Sequence, residues 1–144
     1  MNLKPWYKLV FPREDLREGR PLDASEFAVH LDQIRDKRAP EDYQNPQKFF
    51  ERTYLTEGLK SLLVDVIRRL NGIKLETSAV FNMTTQFGGG KTHTLLAIYH
   101  LLRSPGEIEE PPEVLEYVNK VREAFSKGVK PAIVVFDGAE VDPG

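Results

Sequence analysis

The stretch Thr85-Gln86-Phe87-Gly88-Gly89-Gly90-Lys91-Thr92 constrains this chain more than any other. Three consecutive glycines are costly to order, and they serve where the backbone must approach a ligand or adopt left-handed dihedrals. A lysine and a threonine follow them. The next segment, Lys91 to Arg103, carries Leu95, Leu96, Ile98, Tyr99, Leu101 and Leu102 around most of a helical circumference, the pattern of a well-buried helix. The segment before, Ala79, Val80, Phe81 and Met83, reads as a short strand. A strand, a glycine-rich turn and a helix opening on Lys-Thr make the context that a P-loop (Walker A) motif requires.

The residue types fit the chemistry of a polyphosphate. Glycines let backbone N–H groups turn inward without Cβ clashes. The helix start adds its unused N–H groups and the positive end of its dipole. The candidate nucleotide-binding residues are therefore Gln86, Phe87, Gly88, Gly89, Gly90, Lys91, Thr92 and His93. Lys91 suits the β- and γ-phosphates of ATP, and the Thr92 hydroxyl suits Mg²⁺. Thr85 stands where the template has its first glycine. A β-branched residue resists φ > 0, so Thr85 is expected to stay extended while Gly88 to Gly90 carry the unusual dihedrals. Ile133-Val134-Val135-Phe136-Asp137 has the form of a Walker B strand, which makes Asp137 a second Mg²⁺ candidate. The competing reading is a strand end followed by an Asp-Gly turn. Gly138 follows it, so no adjacent carboxylate is there to polarise water, and no catalytic residue is assigned.

Helical signals dominate the rest. Asp23 or Ser25 can cap a helix with Phe27, Leu31 and Ile34 on one face, before a break at Ala39-Pro40. Pro46 suits the first turn of a short helix through Phe49 and Phe50. Thr56 is placed to cap a long helix with the stripe Leu59, Leu62, Leu63, Val66, Ile67 and Leu70, stopped by Asn71-Gly72. From Pro112 another helix aligns Val114, Val118, Val121 and Phe125 and ends at Gly128. Ala132 to Phe136 is a continuous apolar run, as in a strand covered on both faces of a parallel sheet. The expected class is α/β: residues 1–72 form a helical N-terminal lead-in, and 73–144 form the first part of a nucleotide-binding sheet joined by a right-handed crossover.

Other groups have weaker claims. Phe49, Phe50, Tyr54 and Thr56 precede the long helix, where aromatic rings can line a base site or fill the core. His30 and His100 read as core or surface residues, whereas His93 adjoins Thr92. Arg13, Arg17, Arg20, Arg35 and Arg38 are scattered among acids, as on a solvated surface. The net charge of −2 gives no strong field toward nucleic acid, and the lack of cysteine excludes disulfides. No apolar run approaches the ~20 residues of a membrane span, and no run near the N-terminus is long enough for a signal peptide, so a cytoplasmic protein is expected.

Several runs together resemble a known family: Pro5-Trp6-Tyr7, Pro12-Arg13-Glu14-Asp15-Leu16, Asn45-Pro46, Phe49-Phe50-Glu51-Arg52-Thr53-Tyr54, and Phe81-Asn82-Met83-Thr84-Thr85 through Lys91-Thr92-His93. They are similar to the start of a family of large prokaryotic AAA-type ATPases without a settled activity, associated with DNA methyltransferases and helicases. The resemblance implies an incomplete AAA-type P-loop sheet and an N-terminal piece of a longer enzyme whose acidic hydrolysis motif lies further on. It also implies ATP turnover by the intact parent, in remodelling of DNA or protein–DNA complexes. A nucleotide is the expected partner, with DNA or DNA-modification proteins through the parent; a homo-oligomer is one open arrangement, and the sequence leaves the oligomeric state undecided. The alternative is a stand-alone nucleotide-binding or interaction module without turnover.

Overall fold

The computed structural model describes residues 4–12, 17–19, 31–84 and 90–135. Helices α1 (Leu31–Arg35), α2 (Glu41–Gln44), α3 (Pro46–Glu51), α4 (Glu57–Leu70), α5 (Lys91–Arg103) and α6 (Pro112–Ser126) follow in order. Short 3-10 turns lie at Trp6–Lys8 and Pro105–Glu107.

Local chemistry sets these boundaries. The Asn45 side chain accepts from the Lys48 amide at 3.0 Å and starts α3, with Pro46 in the first turn, where its missing N–H costs nothing. Thr56 caps α4 in the same way, accepting from the Leu59 amide at 3.2 Å. Glu57 in the first turn and Arg68 and Arg69 in the last complement the helix dipole. Beyond Asn71, Gly72 takes φ 80°. Its amide then reaches the Arg69 carbonyl and that of Ile73 reaches the Arg68 carbonyl, both at 3.0 Å, which is a Schellman stop.

The core is where the apolar stripes meet. Helix α6 packs on both α4 and α5, and α3 packs on α5. Leu63, Leu101, Val114, Val118 and Val121 are completely buried, with Phe49 and Phe50 beside them. Arg122 ties the approach to α6 by donating to the carbonyls of Pro105 (2.8 Å) and Ile108 (3.3 Å). Among the described residues no helix is long and apolar enough to cross a membrane.

The expected α/β class is not what forms. Among the described residues there is no strand, so neither the parallel sheet nor the crossover is present and the architecture is helical. The strands expected at 79–83 and 132–136 have no regular hydrogen bonding over their described residues, 79–83 and 132–135. A helix closes its hydrogen bonds within itself, whereas a strand exists only through a partner. β-propensity is correspondingly dependent on context. Val80 is 78% exposed in the first of these segments, and in the second, read as a strand covered on both faces, Val134 is 88% exposed and Ile133 and Val135 are half-buried. Helix α5 is likewise buried on one side only. Leu96, Ala97, His100 and Leu101 face inward, while Leu95, Ile98, Tyr99 and Leu102 line a shallow groove of about 380 Å³ with Leu31 and Ile133, Val134 and Val135.

Truncations separate these arrangements. Leu101→Ala should cost about 2–5 kcal/mol, the range for deleting a buried leucine side chain. Val134→Ala should change stability by less than about 0.5 kcal/mol, as at ordinary surface positions. Urea unfolding of both variants checks this, and a large loss at Val134 would restore the buried strand.

Candidate functional site

The helix α5 N-terminus is the part of the glycine-lysine-threonine motif within the described residues. Gln86, Phe87, Gly88 and Gly89 lie outside them, as do Thr85, Asp137 and His30. Gly90 is the N-cap residue, in the left-handed region at φ 74° and ψ 14°. A Cβ added there would meet no atom of the described residues within 4 Å. Glycine is therefore favoured by the backbone dihedral and not by crowding. The Gly90 carbonyl accepts from the Thr94 amide at 2.9 Å, which closes the first helical turn.

The first amides of an α-helix have no partner in their own helix. Gly90 has no side chain to supply one, unlike Asn45 and Thr56 at α3 and α4. No acidic residue occupies the first turn of α5. Lys91 is half-buried and the Thr92 side chain exposed. The turn thus joins a left-handed glycine, a positive dipole end, a cation and an accessible hydroxyl. That donor set suits an anion, and the hydroxyl suits a hard cation that accompanies one.

His93 faces the core. Its Nε2 lies 3.0 Å from Thr53 Oγ1, and its ring centroid is 4.6 Å from that of Phe49. The Thr53 hydroxyl donates to the Phe49 carbonyl at 2.6 Å. That donation uses its only hydrogen, so Nε2–H of His93 is the donor to Thr53. Burial pushes the His93 pKa below its usual range. His100, seven residues on and 2% exposed, donates from Nε2 to the Tyr43 carbonyl at 2.7 Å. Burial is the main cause lowering its pKa, opposed by the Tyr43 carbonyl and by Glu107.

The other expected residues fall elsewhere. Phe49 and Phe50 are core residues, and Thr56 is a helix cap; Tyr54 is 85% exposed. Arg35 and Arg38 pair with Asp36 at 2.8 and 2.9 Å on the surface and hold its carboxyl down to about 2. Among the described residues no cluster of three His, Asp or Glu could hold a metal. Sequence reasoning passed over Thr53, whose contact with His93 spans 40 residues and leaves no trace in local periodicity.

A family model described as the DUF499 N-terminal domain matches residues 8–142. No curated protein and no solved structure matches the chain.

Two outcomes follow from this geometry. Gly90→Ala should lower stability by roughly 1–2 kcal/mol, the cost of a left-handed non-glycine residue. Thermal unfolding measures it, and an unchanged midpoint would contradict the left-handed cap. The second outcome concerns pH. With its folded pKa held below the ordinary value of 6.5 by burial, His100 takes up a proton at lower pH in the folded chain than in the unfolded one. Stability should therefore be flat above about pH 6.5 and fall as pH drops toward the folded value, with His93 acting in the same direction. The carboxylates with lowered values, Asp36, Glu41 and Glu123, add a separate loss only below about 4.5. His100→Gln should flatten the unfolding midpoint between pH 6.5 and 5, and an unaltered slope would refute the assignment.

Proposed function

We propose that this chain, which belongs to the DUF499 N-terminal domain family, binds the phosphates of ATP with Mg²⁺ at the start of helix α5. The observation that carries this reading is the left-handed Gly90 opening a 13-residue helix whose first residues are Lys91 and Thr92. Glycine is demanded there by the dihedral, and the turn offers amides where a capping side chain stands at α3 and α4.

In this reading Gln86, Phe87, Gly88, Gly89 and His93 are the further nucleotide-binding candidates, the first four outside the described residues. Lys91 supplies charge to the terminal phosphates. The residues present fit the metal: Thr92 has an exposed hydroxyl one residue from the cation, and no first-turn carboxylate competes with phosphate. Thr92 would hold Mg²⁺, with Asp137 as the second candidate. When bound, Mg²⁺ neutralises phosphate charge.

The wider reading follows from the resemblance. The chain is the ATP-binding N-terminal portion of a cytoplasmic AAA-type ATPase that remodels DNA or protein–DNA complexes, and hydrolysis belongs to the longer parent. DNA-modification proteins are its partners in that reading, and homo-oligomers are compatible with it.

Calorimetric titration with MgATP tests the site. Lys91→Ala should lose at least tenfold in affinity, since a hydrogen bond to a charged group contributes about 1.5–3 kcal/mol. Lys74→Ala, in the irregular stretch after α4, should bind as the wild type does. Equal affinities for the two variants would remove Lys91 from the site.

A further inference from the structure

We propose that Thr53 is a positioning residue for the phosphate-binding turn, acting through His93; this rests on the nucleotide reading above. Thr53 lies between α3 and α4, 40 positions from His93, and is 7% exposed. A buried hydroxyl must be satisfied, and this one is satisfied twice. It donates to the Phe49 carbonyl at 2.6 Å and accepts from His93 Nε2 at 3.0 Å.

The relay fixes the imidazole in two directions. The Thr53 bond holds its edge, and Phe49 covers its face at 4.6 Å with 32° between the ring planes. His93 is the third residue of α5, one position beyond Thr92. Holding its ring therefore holds the first turn of α5 against rotation about the helix axis. The amides that face an anion belong to that turn, and their worth to a ligand depends on being aimed before it arrives. Neither Thr53 nor the His93 ring needs to touch phosphate. Their part is to keep the turn from spending binding energy on its own ordering.

Thr53→Val is nearly isosteric and replaces the hydroxyl, with its donation to the Phe49 carbonyl, by a methyl group. It leaves His93 Nε2–H without its acceptor and frees the ring edge. Thr53→Ser restores the hydroxyl. MgATP affinity by calorimetry on the full chain should fall about tenfold in Thr53→Val and stay within about threefold of wild type in Thr53→Ser, with thermal midpoints measured in parallel.

Lys91→Ala separates the two ideas. If Lys91→Ala loses binding while Thr53→Val keeps wild-type affinity, the positioning role is overturned and the phosphate site stands. If wild type does not bind, or Lys91→Ala binds equally well, the phosphate site falls and the positioning role with it. Should Thr53→Val fail to fold, imidazole ¹⁵N spectra of the wild type decide. The neutral ring of His93 is expected as the Nε2–H tautomer, with shifts that move on saturation with MgATP. An Nδ1–H tautomer, or shifts indifferent to nucleotide, would overturn the proposal.

Discussion

Phe49 is the most connected ring by which the N-terminal helices reach the rest of the core, alongside the packing of α1 on α5. Its ring is 1% exposed and meets four others, His93 at 4.6 Å, His100 at 5.2 Å, Phe50 at 5.3 Å and Tyr43 at 6.4 Å. His93 and His100 are seven residues apart, two turns along one face of α5. One aromatic side chain from a six-residue helix thereby spans much of the inner face of α5. Because interiors pack at crystal-like density, movement at Phe49 is passed to both histidines. Each is also bonded to an oxygen of the N-terminal region, at Thr53 and at Tyr43.

The candidate site inherits its order from that contact. A helix beginning on glycine has no side chain to cap it and would fray unless held from elsewhere. Here it is held from the core side, by the third residue of the helix. The solvent side, with Gly90 and Thr92, is left exposed. The same turn thus combines an anchored inner surface with an accessible outer one. Binding residues are commonly placed this way, on a segment positioned by a rigid scaffold.

The long helices were legible because helical signals are local. Thr56 and Asn71-Gly72 mark the ends of α4 and Pro112 and Gly128 those of α6, and the apolar spacing between them gives the buried faces. Helix α2 was missed: four residues, Glu41–Gln44, show no period to read. The strands were misread for a different reason. Ala79 to Met83 and Ala132 to Phe136 are rich in β-formers, but an apolar run says only that a segment can be buried, and pairing requires a neighbour that a single segment cannot announce. At the site, the special role of Gly90 was visible as a glycine before Lys-Thr. The links from His93 to Thr53 and from His100 to Tyr43 were not, since they join positions 40 and 57 residues apart.

The side chain of Gln47 closes the chain over a still longer span. Its Oε1 accepts from the amides of Glu109 and Glu110, at 2.6 and 3.1 Å and separations of 62 and 63 residues. Bringing the ends of so long a flexible segment together has an entropic cost of about 3–4 kcal/mol, on the (3/2)RT ln n scaling. Even with the 3.3 Å donation from Gln47 Nε2 to the Glu110 carbonyl, exposed hydrogen bonds such as these do not by themselves offset that cost in an otherwise unfolded chain. The clasp is affordable only after α4, α5 and α6 have already drawn the two segments together. Gln47 is therefore expected to bond after the rate-limiting step of folding. Its removal should quicken unfolding and leave the folding rate unchanged, which chevron kinetics of Gln47→Ala would record as a φ-value near zero.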